Sequence, residues 1–349
     1  MKNSLREKLE RIISNEAYND SEITLRLINL INQLDLHEPV HKQGKSIGDL
    51  YKNACEDIKA NRANENHIKS GYSHFDRTIR GFLPGEFVVI GGRPGMGKTQ
   101  FALNLTINIS KSHNTQFYTY EDTEVNITRR ILGNICQIPV HKFEYDELTD
   151  DDKLKVNKAT DLIKSLKLHI SECNYLNFLD FKADLIKDIK EKELKVVFID
   201  FLQAIIPLKT RYNREFEIGY VCRELKAIAK EYNICIITTC QLSRAVETRG
   251  SSKRPQLSDL RDSGSIEQEA DKVLMLYRPE YYQLDTLEDG TSTLGLMEVS
   301  VVKNRSGRLD ETRLRCHLAL CFITEYNYFE DDFDFNETRL LDINKLNLL

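Results

Sequence analysis

The spacing of apolar residues divides the chain into a helical start and a longer part in which strands and helices alternate. Before residue 60 the apolar positions recur at helical spacing, which predicts an amphipathic hairpin and then a third helix. Their apolar faces are Leu5, Leu9, Ile12 and Ile13; Ile23, Leu27, Leu30, Ile31 and Leu34; and Ile47, Leu50, Tyr51, Ala54 and Ile58. The hairpin, in residues 1–45, is too small to hold a core alone and needs a partner surface. Residues 46–70 contain the third helix and the polar stretch Asn61 to Lys69.

From Gly71 onward, short apolar runs alternate with helical patterns, of which Phe216–Tyr232 is the clearest helix. The runs with strand character are Phe87–Ile90, Gln116–Tyr120, Leu166–Ile170, Lys195–Ile199, Ile234–Thr238, Val273–Leu276, Met297–Val302 and Leu314–Phe322. This alternation predicts an α/β domain over residues 71–329, with a mostly parallel central sheet and helices on both faces. The last two strands follow each other without a helix, so we expect an antiparallel far edge. Residues 330–349 are interpreted as an acidic tail.

The turn after the first predicted strand carries the strongest chemical signal. Residues 92–99 read G-R-P-G-M-G-K-T, which matches the phosphate-binding loop G-x-x-x-x-G-K-[ST], and a strand and a helix flank it as the motif requires. Its backbone N–H groups and the helix dipole favour an anion, Lys98 would reach the β- and γ-phosphates, and Thr99 would hold Mg²⁺. We therefore predict a nucleoside triphosphate site. Its residues are Gly92, Arg93, Pro94, Gly95, Met96, Gly97, Lys98, Thr99 and Gln100.

Polar side chains end three further predicted strands. Asp200 would orient Mg²⁺ or its water ligands. Because Phe201 follows it, the general base is expected elsewhere. Glu121 is the first candidate, provided that its strand neighbours the one before the phosphate loop; Asp122 is its rival, and a solvated strand end is the plain alternative. Gln241 could sense the γ-phosphate or simply cap its strand.

Two basic segments complete the candidate chemistry. Lys303 and Arg305 lie in V-K-N-R-S-G and are either surface cations or a charge clamp supplied to a neighbouring subunit. Residues 244–265 are interpreted as a long polar loop, functional or mobile. Its side chains could follow a phosphate backbone without reading sequence. They are Arg244, Arg249, Lys253, Arg254 and Arg261, with Gly264 among serines.

The amino-acid composition limits the cellular location and the kinds of partner that we expect. The chain has 349 residues, of which 41% are hydrophobic, and no run approaches the length of a membrane span. Eight scattered cysteines without a C-x-x-C pair suggest buried thiols in a reducing cytoplasm, so we expect a cytoplasmic protein without a membrane partner. The net charge of −5 argues against a broadly basic coat for nucleic acid and leaves a local basic channel open.

These motifs, from Ser46 to Phe322, resemble the C-terminal motor of the DnaB-type replicative DNA helicases. The matching segments are F-D-R-T-I-R-G-F-L-P-G-E, G-G-R-P-G-M-G-K-T, V-V-F-I-D-F-L-Q, Q-L-S-R, S-D-L-R-D-S-G-S-I-E-Q-E-A-D, L-Y-R-P-E-Y-Y and V-K-N-R-S-G. The S-D-L-R stretch is the most specific, since other phosphate-loop ATPases lack it. The resemblance implies a RecA-like P-loop NTPase fold, ATP and Mg²⁺ as cofactors, a homohexameric ring and ATP-driven movement along single-stranded DNA. A helicase loader is a further implied partner.

The resemblance also implies residue roles. The helix after Ser46 is the linker that docks on the adjacent subunit. Lys98 and Thr99 bind phosphate and Mg²⁺, Asp200 binds the metal, and Glu121 activates the attacking water. Gln241 couples the γ-phosphate to the DNA loop. Lys303 and Arg305 act in the neighbour's site, and the DNA loop is lined by Arg261, Asp262 and Gly264.

The chain departs from the family pattern in three places. The usual S-L-E-M is T-Y-E-D here, and the usual Arg-Glu of the DNA loop is Arg261-Asp262. Only residues 1–45 precede the linker, so we expect neither the family's globular N-terminal domain nor the primase coupling that it provides.

Three functions are compatible with these residues. The first is a ring-forming ATP-dependent DNA helicase or translocase. The second is an ATP-switched DNA-binding assembly or recombination factor that does not unwind, and the third is a nucleotide-binding oligomeric regulator. The arginine turn favours the first two, because a clamp in trans serves only turnover, and the S-D-L-R loop favours contact with DNA.

Overall fold

The computed structural model describes residues 11–12, 14, 46–48, 50–51, 54–56, 67–175, 177–205, 214–249, 253–260 and 263–326. By its internal contacts the chain divides into two units, Met1–Arg62 and Ala63–Leu349. In the first unit, residues 47–48, 50–51 and 54–56 are helical, as expected for the third helix. Most of the predicted hairpin and all of residues 330–349 lie outside the described residues.

Within the described part of the second unit, nine strands form one sheet in the order β3-β2-β4-β5-β1-β6-β7-β8-β9. Strands β1 to β6 pair in parallel and β7 to β9 add an antiparallel edge, which confirms the predicted topology. The strands are β1 (Phe87–Gly92), β2 (Thr115–Thr119), β3 (Leu168–Glu172), β4 (Val196–Asp200), β5 (Cys235–Gln241), β6 (Lys272–Tyr277), β7 (Leu296–Asn304), β8 (Glu311–His317) and β9 (Phe322–Glu325).

Helices cover both faces of this sheet because side chains along a buried strand point to alternate faces. In β1, Val88 and Ile90 belong to one hydrophobic cluster, and Phe87 and Val89 to the other. Helix α2 packs on the first face and α6 and α7 on the second. The helices are α1 (Ser73–Ile79), α2 (Lys98–Ser110), α3 (Glu124–Cys136), α4 (Val140–Glu144), α5 (Asp150–Ser165), α6 (Phe178–Glu191), α7 (Arg214–Tyr232), α8 (Ala245–Thr248) and α9 (Ser263–Glu269).

Two predictions from the apolar pattern were wrong in detail. The single strand predicted over Leu314–Phe322 is a hairpin, in which β8 ends at His317 and β9 begins at Phe322. Cys321 adopts φ 52, a left-handed conformation that reverses the chain within an apolar run and so leaves no polar signal. The predicted loop over residues 244–265 contains α8, a short 3₁₀ turn at Leu257–Asp259 and the start of α9.

Buried ion pairs hold the amino-terminal edge of the parallel strands. Lys272 is fully buried, and its ammonium donates to Glu86 Oε1 at 2.6 Å and to Gly81 O at 3.2 Å. Glu86 also accepts from Leu83 N at 2.9 Å and from Ser306 Oγ at 3.0 Å. The charges are therefore paired and hydrogen-bonded on both sides, which a buried ion pair requires.

We expect Lys272→Met to lower the free energy of unfolding by about 3–5 kcal/mol, because it leaves the Glu86 carboxylate buried without its partner. Urea denaturation followed by circular dichroism measures the loss. Lys153→Met is the matched control, since Lys153 lies in an exposed pair with Asp150 on α5 and should unfold like the parent. Equal midpoints for Lys272→Met and the parent would contradict this account.

Candidate functional site

The loop between β1 and α2 has the backbone shape of a phosphate cradle. Gly95 and Gly97 adopt φ 79 and φ 83, conformations that side chains rarely allow, and the chain then enters α2 at Lys98. A Cβ on Gly95 would lie 2.7 Å from the Tyr281 ring, and one on Gly97 would lie 2.9 Å from Met297 Cε. The left-handed backbone at these positions therefore favours glycine, and the loop points the N-terminus of α2 at the carboxyl ends of the parallel strands.

The side chains of the loop divide into those facing the cradle and those facing the protein. Lys98 folds over the loop and donates to Arg93 O at 3.1 Å. Burial lowers the pKa of Lys98, while the Asp200 and Glu121 carboxylates oppose this shift. The Arg93 guanidinium donates to Leu242 O at 2.8 Å and pairs with an α8 carboxylate, so it braces the segment after β5.

The other predicted loop residues differ in exposure. Pro94 and Gly95 are exposed, whereas Met96 and Gln100 are buried. The Gln100 amide lies 3.4 Å from His317 O in β8. Met96 and Gln100 therefore face the protein interior and support the loop from that side.

A buried carboxylate joins three elements beneath the loop. Thr99 Oγ1, on α2, donates to Asp200 Oδ2 at 2.7 Å. Thr239 Oγ1, on β5, donates to the other oxygen, Asp200 Oδ1. Asp200 is 3% exposed. A hydroxyl and a carboxylate oxygen are the hard donors that Mg²⁺ prefers, so this pair fits a magnesium site. Thr99 and Asp200 were predicted from the sequence, but Thr239 was missed. Its contact with Asp200 is made between neighbouring strands, and no local sequence motif indicates such a contact.

The structure separates the two candidates for the general base. Strand β2 pairs with β4, so that Thr119 lies opposite Asp200 and Tyr120 N donates to Asp200 O at 2.8 Å. Glu121 therefore follows directly beside the Asp200 carboxylate and is exposed. Asp122 instead pairs with Arg130 of α3 at 2.9 Å. The condition set for Glu121, that its strand neighbours the strand before the phosphate loop, is not met, because β4 and β5 lie between β2 and β1.

Gln241 ends β5 opposite Gly92, the first residue of the loop. Its backbone is held by the amide of Gln203, which accepts from Gln241 N at 3.2 Å and donates to Gln241 O at 3.0 Å. Two residues on, Ser243 N donates to Asp259 O at 2.8 Å, and Leu242 forms a bridge with Leu260. A continuous backbone connection thus runs from the loop edge to the segment before residue 261. Gln203 was missed, although the quoted V-V-F-I-D-F-L-Q contains it.

Lys303 and Arg305 lie near the amino ends of the parallel strands, at the opposite end of the sheet from the phosphate loop. Arg305 donates to Gln268 O at 2.5 Å and approaches Asp271 Oδ1 at 3.4 Å, and Lys303 donates to Glu267 O. Asp271 precedes β6 at the amino end of β1, and the phosphate loop follows the carboxyl end. The two ends of β1 are roughly 17 Å apart at the usual rise per residue. The structure therefore does not bring these cations to the loop of the same chain.

The predicted DNA-binding cations have different surroundings. Arg249 donates to Asp259 Oδ1 at 2.5 Å, and Arg254 makes a two-point bond at 2.8 and 2.9 Å with the buried carboxylate of Glu298. Both guanidinium groups therefore brace the segment. Arg244 and Gly264 are exposed. Arg261 and Asp262 lie outside the described residues.

Two features are absent from the part of the chain that the structure describes. No helix there combines the length and the apolar character needed to cross a bilayer. No group of three or more His, Cys, Asp or Glu side chains there could hold a metal ion by itself.

Comparison with known proteins matches residues 67–331 to the model of the DnaB-like helicase C terminal domain. The chain belongs to the DnaB-like helicase family. It is 32% identical over 291 residues to the replicative DNA helicase DnaB of Geobacillus stearothermophilus, with 82% of this chain and 62% of that relative covered. The chain thus spans about three fifths of that relative's length.

Solved structures share the fold. A DnaB-like replicative helicase, described with its interactions with primase, superposes with a TM-score of 0.72 at 26% identity, covering 93% of this chain and 77% of its own. A second solved structure, of an ATPase domain, gives a TM-score of 0.75 at 28% identity, covering 82% of this chain and 100% of its own. The expected RecA-like architecture is confirmed.

We expect Glu121→Gln to bind ATP normally and to hydrolyse it about 10²–10⁴-fold more slowly, because an amide cannot accept the proton of the attacking water. Asp122→Asn is the matched control and should keep most of its turnover, since Asp122 is engaged by Arg130. Phosphate release with a fluorescent-nucleotide binding assay separates the two steps. Normal turnover in Glu121→Gln would move the base elsewhere.

Proposed function

We propose that this chain is the motor of a ring-forming, ATP-dependent DNA helicase of the DnaB type, which moves along single-stranded DNA. The observation that carries the proposal is the Thr99–Asp200 hydrogen bond of 2.7 Å beneath the glycine loop, with Glu121 at the end of the adjacent strand. Together with membership of the family, this arrangement supports ATP hydrolysis. It contains a phosphate cradle, a metal-binding pair and a candidate base in one place.

Each residue of the site has a role in this proposal. The N–H groups of the loop and Lys98 bind the β- and γ-phosphates of ATP. Thr99 and Asp200 would hold Mg²⁺, which when bound neutralises the charge on those phosphates. Glu121 accepts the proton of the attacking water, because Asp122 is occupied by Arg130.

The second half of the site comes from another subunit. Lys303 and Arg305 lie at the sheet edge opposite their own phosphate loop, so they can stabilise transition-state charge only in a neighbouring copy. Head-to-tail contacts of this kind form a ring when the rotation between subunits closes, and the family resemblance favours a closed ring of six subunits. The helix after Ser46 is proposed to dock on the adjacent subunit. A helicase loader is a further proposed partner.

Gln241 connects hydrolysis to DNA. It lies opposite Gly92, the first residue of the phosphate loop, and its strand continues into the segment bonded to Asp259 and Leu260. A change at the γ-phosphate therefore has a short backbone path to Arg261, Asp262 and Gly264, the proposed DNA contacts. Arg244 is exposed beside the same segment and joins them.

Unwinding of a forked duplex tests this function. The purified protein with ATP and Mg²⁺ should release the labelled strand, and with a non-hydrolysable ATP analogue it should bind the fork without releasing it. Binding with hydrolysis and no strand release would favour the alternative, an ATP-switched DNA-binding assembly factor. Absence of DNA binding in both nucleotide states would favour an oligomeric regulator.

We expect Arg261→Ala to weaken binding of single-stranded DNA and to reduce the DNA-stimulated ATPase, while basal ATPase persists. With a net charge of −5, the affinity for DNA must come from a few short-range contacts. For each phosphate contact, log affinity should fall by roughly 0.7 per tenfold increase in salt concentration. Fluorescence anisotropy with ATP measures both the affinity and the salt slope.

The control is Lys158→Ala, which removes a similar charge from the exposed surface of α5. It should bind DNA like the parent. If Arg261→Ala also binds like the parent, the DNA loop is assigned to the wrong residues.

A further inference from the structure

The helix that follows the proposed DNA loop ends on the two cations proposed to act in the neighbouring subunit. Helix α9 begins at Ser263, next in sequence to Arg261 and Asp262 and with Gly264 in its first turn, and its last carbonyl groups accept hydrogen bonds from both cations. Lys303 donates to Glu267 O, and Arg305 donates to Gln268 O at 2.5 Å. Cations at a helix C-terminus are favoured by the exposed carbonyls and the helix dipole. The two ends of one short helix therefore carry the two functions that a helicase must couple.

Asp271 fixes Arg305 in this position. Asp271 Oδ1 lies 3.4 Å from the guanidinium, and Asp271 O accepts from Arg305 N at 2.9 Å. The other carboxylate oxygen accepts from Phe87 N at 2.8 Å and from Lys226 Nζ at 2.5 Å. The carboxylate is thus immobilised from β1 and α7, while the Arg305 side chain remains 51% exposed.

We propose that Asp271 is a positioning residue that holds Arg305 in reserve against its own α9 and competes with the neighbour's nucleotide for it. The inference rests on the proposed function, since it assumes that Arg305 serves the neighbouring site. The guanidinium cannot contact Gln268 O and a phosphate of the next subunit at once. When the Arg305 guanidinium leaves, the C-terminal end of α9 loses a hydrogen bond. Nucleotide occupancy in one subunit is thereby linked to the DNA loop of the adjacent subunit that supplies Arg305.

The reserve position has the properties of a releasable contact. Its ion pair with Asp271 is long and half exposed, so solvent screens it, and the hydrogen bond to Gln268 O is the closer contact that must break. A nucleotide phosphate is a stronger and two-point partner for a guanidinium. Two discrete positions of one side chain, each with defined partners, form the two-state element that coupling between sites requires.

Lys226 supplies a variant with the opposite expected sign. It is buried, it shares the Asp271 carboxylate with Arg305, and it contacts Gly85 O at 2.8 Å without touching Arg305. Removing Lys226 leaves the Asp271 charge to Arg305 alone and should tighten the reserve position. Asp271→Asn keeps an acceptor for Phe87 N and removes the charge that retains Arg305.

The first test compares the ATPase of the assembled full-length variants with and without single-stranded DNA. Asp271→Asn should raise the DNA-independent rate and lower the ratio of stimulated to basal rate roughly fivefold. Lys226→Met should lower the basal rate and raise that ratio. A purely structural role for the ion pair predicts that both variants lose activity together, in step with their loss of thermal stability, and that result overturns the proposal.

The second test does not depend on turnover. Hydrogen exchange in the nucleotide-free protein should be several-fold faster over residues 263–269 in Asp271→Asn than in the parent, and not faster in Lys226→Met. Equal exchange in Asp271→Asn and the parent would overturn the reserve position. A parent that hydrolyses ATP and fails to unwind would defeat the proposed function while leaving both comparisons decisive.

Discussion

The hydrogen bond from Thr99 to Asp200 is the contact on which the rest of the site depends. It joins the first turn of α2 to the end of β4, and Thr239 of β5 holds the second oxygen of the same carboxylate. Strand β5 lies between β4 and β1, so the sheet order is what brings these three elements together. Because Asp200 is buried, its charge is held at one place, where the loop glycines open the N-terminus of α2 to an anion.

The same sheet separates the phosphate loop from the cations that are proposed to act in the neighbouring subunit. Parallel strands place the phosphate loop, Asp200 and Glu121 at their carboxyl edge. The antiparallel strand β7 returns Lys303 and Arg305 to the amino edge, among the buried pairs of Glu86 and Asp271. In the proposed function, a site divided in this way is complete only where two copies meet, which makes assembly a condition of turnover.

Local patterns were sufficient to pick out the glycine loop and Asp200, which the structure brings together at the candidate nucleotide site. The phosphate loop depends on a fixed run of residues between a strand and a helix, and Asp200 ends an apolar run, so both can be recognised in the sequence. Contacts made across strands leave no such run. Thr239 and Gln203 were therefore missed, and so was the separation of β2 from β1 by two strands. The basic segment was predicted to bind DNA because its cations are close together in the sequence. In the structure, however, Arg249 and Arg254 are bound to carboxylates of the same chain.

ATPase activity of mixed rings tests the divided site most directly. Arg305→Ala supplies intact phosphate loops, and Lys98→Ala supplies intact cations, so each variant alone should be inactive. An equal mixture should recover up to roughly a quarter of the parent rate, the share of interfaces that combine both intact halves. The control replaces Lys98→Ala with the double variant Lys98→Ala/Arg305→Ala and should recover nothing. No recovery in the first mixture, with both variants assembled, would contradict a site shared between subunits.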